Sequence, residues 1–342
     1  MPDSPTPERS RPSSAKRTAS SPAKSTLLSS LARRGICFFS RRAAILQVLA
    51  VSLMSVFSPL TAQQARPKII GIDSVRITSS AVGAGALDFY AKDLGFSTGQ
   101  PVCEAVSRTC MQVNGRQRID LRVPTETGTK GELAEITFGA SDVKEMHAYL
   151  MAHAVQVGDI VEEPRNNLYF SAQDPEGHQI GFVQHTSGRD AYGTTDKQVS
   201  SRLIHAGFVV HDRAAEDRFY KDILGFHVYW HGGMKDGVDD WVDMQVPDGS
   251  EWIEYMLNVP VNADKHTLGV MKHIALGVPD IHAAAKQLLS NGMKLTEEPK
   301  IGRDGKWQLN LYDPDDTRVE LMEFTPSQKP CCSEYTGPHP KP

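Results

Sequence analysis

Two histidines and two glutamates in the second half of the chain are the residues whose types and spacing are best suited to metal binding and proton transfer. They are His205, Glu254, His273 and Glu320, and the intervals between them are 49, 19 and 47 residues. Imidazole and carboxylate groups bind divalent transition metals, and a carboxylate can also move a proton as a general base. The first and third intervals are nearly equal, as expected for two repeats of one structural unit.

The segments around His273 and Glu320 have the alternation of β-strands. Apolar residues at every second position of Ile274–Val278 face one way, which puts His273 on the other face. The same alternation puts Glu320 opposite to Val319 and Glu323, so Glu320 rather than Glu323 is the candidate. Since such polar groups are costly on an apolar face unless they are paired or bound to a metal, the pattern favours metal binding.

The body of the chain repeats itself. The segment FYAKDLGF at 89–96 recurs as FYKDILGF at 219–226, and the Asp-Pro turn at 174–175 recurs at 313–314. Within each copy, a strand, a helix and three strand-like runs form a βαβββ unit, after which the pattern restarts. The sequence therefore predicts an α+β fold built from four βαβββ units.

These repeats resemble the vicinal oxygen chelate (VOC) superfamily, which includes glyoxalase I, extradiol dioxygenases, methylmalonyl-CoA epimerase and bleomycin- or fosfomycin-resistance proteins. The resemblance rests on the FY…LGF helix ends and the Asp-Pro-x-x-x-x-x-Glu turn, and it covers residues 69–326. It implies two tandem VOC domains with cupped mixed sheets. We predict a leader with a signal peptide at 1–65, domains at 68–186 and 201–326, a linker at 187–200 and a disordered tail at 327–342.

The resemblance also implies a divalent metal held by side chains on the first and last strands of each unit. In the second copy those positions are His205, Glu254, His273 and Glu320. This donor set suits Fe, Mn, Ni, Co or Zn and leaves positions for a chelating substrate.

The same mapping gives a different result in the first copy. The corresponding positions are Val75, Asp120, Glu135 and Gly181. Because valine and glycine have no side chain that can bind a metal, the first domain is expected to shape the structure or the substrate pocket rather than to hold a metal.

Three functions are compatible with this site. In a glyoxalase-like lyase or isomerase, the metal holds adjacent substrate oxygens and stabilises an enediolate while Glu254 or Glu320 moves the proton. In an extradiol dioxygenase, Fe(II) is held by His205, His273 and Glu320. A resistance-type protein would only bind its small molecule.

The sequence favours the lyase or isomerase. Glu254 occupies a fourth ligand position, and from Ala283 to Glu320 there is no histidine and only one tyrosine, Tyr312, although such dioxygenases usually keep both types there. The expected partner is a small-molecule substrate, and the protein is expected to be a monomer or a homodimer.

The first 62 residues differ in charge from the rest. They hold nine Lys and Arg against two Asp and Glu, which leaves a net charge of −11 for the remainder of a chain whose total is −4. An acidic body without a Lys/Arg cluster argues against nucleic-acid binding.

The leader also has the pattern of a signal peptide. Arg41 and Arg42 precede the apolar run Ala43–Phe57, which is followed by Pro59 and the small residue Ala62. We expect a protein exported to the periplasm or secreted and free of the membrane after cleavage, with an uncleaved anchor as the alternative. Because glutathione is a cytosolic thiol, an exported enzyme would lack glutathione adducts as substrates.

Four cysteines follow the leader. Cys103 and Cys110 flank a polar stretch that could turn as a hairpin, so a disulfide between them is reasonable in an oxidising compartment. Cys331 and Cys332 lie in the proline-rich tail, and no Cys-x-x-Cys motif indicates a zinc ribbon or a thioredoxin-like site.

Overall fold

The central strands of the first copy are buried along most of their length. The computed structural model describes residues 65–79, 84–98, 108–122, 132–186 and 195–342. The strands of the first copy are β1 (Ile69–Thr78), β2 (Ser97–Thr98), β3 (Arg108–Gln112), β4 (Arg118–Arg122), β5 (Glu132–Ala140), β6 (Val161–Glu163), β7 (Asn167–Gln173) and β8 (Gln179–Gln184). Its helices are α1 (Ala84–Leu87, continued by a π-helical segment at Asp88–Asp93) and α2 (Val143–Ala152), and a 3-10 turn spans Pro164–Asn166.

The second copy repeats this order of strands and has one helix, between its two units, without a counterpart among the described elements of the first copy. Its strands are β9 (Arg202–Val209), β10 (His227–Gly232), β11 (Trp241–Gln245), β12 (Trp252–Met256), β13 (His273–Val278), β14 (Lys300–Ile301), β15 (Trp307–Tyr312) and β16 (Arg318–Glu323). Its helices are α3 (Arg213–Asp217, continued by a π-helical segment at Arg218–Ile223), α4 (Lys265–Met271) and α5 (Ile281–Asn291).

Each copy forms one eight-stranded mixed sheet, called here the first and the second sheet. The strand orders are β2-β3-β4-β1-β5-β8-β7-β6 and β10-β11-β12-β9-β13-β16-β15-β14. In each sheet the first strands of the two units pair antiparallel at the centre, and each pairs in parallel with the last strand of its own unit. The predicted α+β fold of four βαβββ units is confirmed. Within the described part of the chain, no helix has both the length and the apolar composition needed to span a bilayer.

The two sequence markers of the repeat contact each other across the copies. The hydroxyl of Tyr90 in the first copy donates to the Asp313 carboxylate at 3.0 Å, and that of Tyr220 in the second copy donates to Asp174 at 3.2 Å. All four residues are buried, where a hydrogen bond to a carboxylate is strong. The FY…LGF helix of each copy is therefore anchored on the Asp-Pro turn of the other.

The two sheets also share one hydrophobic core. The rings of Phe138 and Phe226 meet edge to face with centroids 5.4 Å apart. The side-chain amide of Gln117 donates to the carbonyls of Ile72 at 2.9 Å and Leu203 at 2.8 Å, so it joins the first strands of both copies. The predicted domains are thus packed against each other.

The tail at 327–342 is ordered, which corrects the prediction of disorder. The Tyr335 hydroxyl donates to the Asp304 carbonyl at 2.9 Å, and the Thr336 amide donates to the Tyr229 carbonyl at 3.0 Å. Adjacent Cys331 and Cys332 form a disulfide. Although the tail has too few apolar residues for a core of its own, it is held by the aromatic surface of the second sheet.

Several sequence-based predictions concern residues outside the described ranges. The signal peptide falls within 1–64, and the linker overlaps 187–194. Cys103 also lies outside the described residues, whereas Cys110 is buried on β3. Export and the Cys103–Cys110 disulfide therefore stay predictions.

The reciprocal tyrosine contacts lead to a stability prediction. Tyr90→Phe and Tyr220→Phe should each lower the free energy of unfolding by about 1 to 3 kcal/mol, because each removes a donor from a buried carboxylate. Urea denaturation measures this quantity. Tyr312→Phe is the matched control, since its hydroxyl donates to the partly exposed Glu297, and it should cost less than about 1 kcal/mol. Unchanged stability of both test variants would contradict the proposed anchoring.

Candidate metal centre

The candidate site lies on the four central strands of the second sheet, in two rows of directly paired residues. In one row, Gly207 on β9 lies between Glu254 on β12 and His273 on β13. Directly paired residues point to the same face of a sheet, so the two polar side chains flank a residue that has none.

The other row has the same arrangement. Ala275 on β13 lies between His205 on β9 and Glu320 on β16. Because His205 and Gly207 are two residues apart on one strand, both rows face the same way. The four predicted residues thus surround a glycine and an alanine, which leave space between them.

The nitrogen and oxygen atoms of the four side chains lie close to one another. His273 Nε2 lies 3.0 Å from His205 Nε2 and 2.9 Å from Glu254 Oε2. His205 Nε2 is also 3.6 Å from Glu320 Oε2 and 3.9 Å from Glu254 Oε2. His205 and His273 are 1% and 0% exposed, and Glu320 is 4% exposed. Sequence reasoning therefore selected residues that the fold brings together in a buried cluster.

The donor atoms of this cluster suit a divalent metal ion. The Met271 carbonyl can only accept, so His273 Nδ1 carries a proton and donates to it at 3.0 Å, which leaves the lone pair on Nε2 facing Glu254. His205 Nδ1 is buried and has no hydrogen-bond partner among the described residues. His205, Glu254 and His273 each offer a ligand atom within 4.8 Å of the others, and Glu320 adds a second carboxylate.

Burial shifts the pKa of all four groups toward their neutral forms. It lowers the pKa of His205 and His273 well below the usual value, and the positive charge of Arg318 adds to this effect. Burial raises the pKa of Glu254 to about 7 and that of Glu320 to about 8, although Arg318 opposes both increases. Without a cation, protons on the glutamates thus compensate for the missing positive charge.

Gly207 is required by the close approach of His273. A Cβ atom at Gly207 would lie 2.1 Å from His273 Cε1 and 2.5 Å from its Nδ1, far inside van der Waals contact. The imidazole therefore lies over the backbone of β9, which only glycine permits.

The first sheet contains an arginine where the second has Gly207. Arg76 on β1 lies between Asp120 and Glu135, and its Nη1 is 2.5 Å from Glu135 Oε2. Glu135 also accepts hydrogen bonds from Thr137 at 3.0 Å and Tyr169 at 2.9 Å. The guanidinium thus supplies next to Glu135 the positive charge that a metal would supply in the second sheet.

The structure corrects one position of the mapping onto the first copy. Ser74, rather than Val75, corresponds to His205, because Ser74 pairs with Thr137 as His205 pairs with Ala275. Ser74 lies 15 residues before Phe89, whereas His205 lies 14 residues before Phe219, so one additional residue between strand and helix shifts a simple count along the sequence. Asp120, Glu135 and Gly181 keep their assigned places, and with glycine as the fourth residue the set differs from that of the second sheet.

Sequence reasoning missed a group of charged residues beside the cluster. Asp243 on β11 is paired directly with Glu254 and is 5% exposed. Lys306 is 0% exposed, and its Nζ lies 4.6 Å from the ring centre of Trp252. The backbone amide of Lys306 donates a hydrogen bond to the Asp304 carboxylate. An aspartate within the apolar strand WVDMQV was the available signal.

The cluster opens into a small cavity of about 100 Å³. Trp230 and Trp241 form apolar walls, and Asp243 and Arg318 add charged groups beside the glutamates. The tail contacts one of these walls, because Trp230 Nε1 donates to the Cys331 carbonyl at 3.2 Å. A small pocket that is lined mostly by charged and polar groups, with two indole rings beside them, suits a small polar molecule.

Comparison with known sequences gives a consistent result. Residues 202–321 match the model of the Glyoxalase/Bleomycin resistance protein/Dioxygenase superfamily. A probable lactoylglutathione lyase from Synechocystis sp. is 30% identical over 131 residues, which are 37% of this chain and 98% of that protein. The probable chloroplastic lactoylglutathione lyase of Arabidopsis thaliana is 24% identical over 190 residues, 48% of this chain. The match spans only about half of the Arabidopsis protein, 54% of its length.

Solved structures resemble the fold of both copies together. An extradiol ring-cleaving dioxygenase from B. fuscum aligns with a TM-score of 0.59 at 17% identity, over 79% of this chain and 75% of that one. The Mn(II)-bound glyoxalase from Novosphingobium aromaticivorans aligns with a TM-score of 0.57 at 17% identity, over 75% and 83% of the two chains. At these identities the similarity concerns the fold alone.

The contact between Gly207 and His273 predicts the effect of one methyl group. Gly207→Ala should displace the imidazole and lower metal affinity by at least about tenfold, the effect of losing one ligand. Equilibrium dialysis with Mn(II) measures the affinity. Gly85→Ala is the control, because its added methyl would only make ordinary contact with Pro314 at 3.5 Å. Equal affinities for Gly207→Ala and the unaltered protein would contradict this role.

The raised glutamate pKa values predict the pH dependence of metal binding. At about pH 6 both carboxylates hold protons that a metal must displace, and by about pH 8.5 most of these protons are lost. The imidazoles are neutral at both pH values because their pKa values are lowered. Mn(II) affinity should therefore rise by roughly two to three orders of magnitude over this range.

Isothermal titration in buffers with different heats of protonation tests this expectation. It should show more protons released on binding at the lower pH. A pH-independent affinity without proton release would show that Glu254 and Glu320 are not the metal ligands.

Proposed function

The chain belongs to the Glyoxalase/Bleomycin resistance protein/Dioxygenase superfamily, and from this premise we propose that it is a metal-dependent lyase or isomerase of the glyoxalase type. Its substrate is a small molecule with two adjacent oxygen atoms. The observation that carries the proposal is the position of Glu254, whose Oε2 lies 2.9 Å from His273 Nε2. A carboxylate there gives a site of two imidazoles and two carboxylates rather than a three-residue site.

The histidines and the glutamates of the cluster have different roles in the proposed reaction. His205 and His273 would hold the metal, and when bound the divalent ion would supply a Lewis acid for the adjacent oxygens of the substrate. His273 is fixed for this role by its hydrogen bond to the Met271 carbonyl.

Glu254 and Glu320 are the groups that move a proton. Both line the cavity, with the Glu254 side chain 14% and the Glu320 side chain 5% exposed, and their raised pKa values of about 7 and about 8 lie near neutral pH, where a carboxylate is most effective as a general base or acid. One of them takes the proton from the hydroxyl-bearing carbon beside the substrate carbonyl and returns it to the carbonyl carbon, while the hydroxyl proton passes to the former carbonyl oxygen. The indoles of Trp230 and Trp241 keep bulk water away from the two carboxylates.

An extradiol dioxygenase is the second candidate, favoured by the similarity of the whole fold to such enzymes. It would use His205, His273 and Glu320 and leave Glu254 without a role. Tyr312, the single tyrosine between Ala283 and Glu320, donates a hydrogen bond from its hydroxyl to Glu297 at 2.9 Å. The site therefore supports the lyase or isomerase better.

Elemental analysis and proton exchange test the proposal together. The purified protein should contain one transition metal ion per chain, and His205→Ala and His273→Ala should each abolish it. The metal-loaded protein should catalyse exchange of the carbon-bound protons of hydroxyacetone in D2O, followed by NMR. For whichever glutamate is the base, Glu→Gln should slow exchange by about 10² to 10⁴-fold.

Glu323→Gln is the matched control for both measurements. Glu323 lies on the strand of Glu320 but accepts a hydrogen bond from the Ile281 amide on the opposite face, so its change should affect neither metal content nor exchange. Oxygen consumption with catechols and Fe(II) would instead support the dioxygenase. Tight binding of a small molecule by metal-free protein would support a binding protein.

A further inference from the structure

Arg318 is a charged residue beside the cluster that the proposed reaction does not use. It lies on β16 two residues before Glu320, so both side chains point to the same face, and it lines the same cavity. Its Nη2 is 4.0 Å from Glu254 Oε2. Its Nε is buried and has no hydrogen-bond partner within the described ranges.

The charge balance of the cavity changes when a divalent ion is present. Two positive charges on the ion balance the carboxylates of Glu254 and Glu320. Within the described residues, Glu254 is the only acid in ion-pair distance of Arg318, so the guanidinium then has no partner of its own. A guanidinium in a buried cavity is costly without an anion and binds a carboxylate strongly in a two-point geometry.

Two other charged residues on the cavity wall, Asp304 and Arg303, already have partners. Asp304 accepts hydrogen bonds from the Lys306 amide at 3.2 Å and from Gln308 at 3.1 Å. Arg303 donates to the Gly233 carbonyl at 3.1 Å and forms an ion pair with Asp236. Arg318 is therefore the cation of this wall that is available to a bound anion.

The first sheet offers an internal comparison. Gln179 pairs with Gln173 across β7 and β8, as Arg318 pairs with Tyr312 across β15 and β16, so Gln179 holds the equivalent position. The sheet with glycine in place of Glu320 thus has an uncharged residue in place of Arg318. Of these two equivalent positions, only the one in the sheet with the candidate metal ligands carries a guanidinium.

We propose that Arg318 binds a carboxylate group of the substrate, beside the two adjacent oxygens that the metal holds. This inference rests on the proposed function and narrows its substrate class to small hydroxy or oxo acids whose carboxylate is separate from the chelating oxygens. Arg318 is then the residue that selects anionic substrates over neutral ones of similar size.

Malate and lactate provide a matched pair of probes. Both offer a hydroxyl and a neighbouring carboxylate to the metal, but only malate has a second carboxylate for Arg318. By isothermal titration, the Mn(II)-loaded full chain should bind malate at least about tenfold more tightly than lactate, as expected for a charge-assisted hydrogen bond. Arg318→Gln should remove this preference, and Arg318→Lys should restore part of it.

Arg303→Gln is the control for general charge effects, because Arg303 borders the same cavity but is paired with Asp236, and it should keep the preference. Equal affinities of the unaltered protein for malate and lactate would overturn the role of Arg318, as would an unchanged preference in Arg318→Gln. Mn(II) content is measured for every sample. Absence of bound Mn(II) from the unaltered protein would instead overturn the proposed metal site itself, so the two failures are distinguishable.

Discussion

The antiparallel pairing of β9 with β13 is the constraint on which the site depends. It places His273 directly opposite Gly207, and the imidazole then lies over a backbone that has no side chain. Each partner strand adds one glutamate to the pair, because the last strand of each unit runs in parallel beside its first strand. The candidate site thus depends on the repeat, since each βαβββ unit of the second sheet contributes only two of the four candidate ligands.

The same pairing in the first sheet leads to a different outcome through one residue. Arg76 occupies the place of Gly207 and neutralises Glu135 directly. Both sheets therefore meet the same physical requirement, which is that buried carboxylates need a positive charge or a proton. One uses a permanent guanidinium, whereas the other relies on protons that a metal ion can displace.

Much of this arrangement could be predicted from the sequence, because strand alternation and the repeat together define positions on a face. His205 and Glu320 were identified in this way and meet in the structure. Counting along the sequence failed at Val75, because the first copy has one additional residue between its first strand and the FY…LGF helix, and residue types do not reveal where such an insertion lies. The order of the tail and the burial of Lys306 were also not predictable, since both depend on aromatic rings contributed by distant strands.

The replacement of Gly207 by Arg76 in the other half has a practical consequence. The first sheet is an internal control for the second, because both belong to one chain and share one concentration and one solvent. Residue-resolved spectroscopic signals from the second sheet can thus be compared with those from the first within the same sample. Exchanging residues between the halves would also show how few changes separate a charge-neutral scaffold from a candidate metal site, and Arg76 is the position at which to begin.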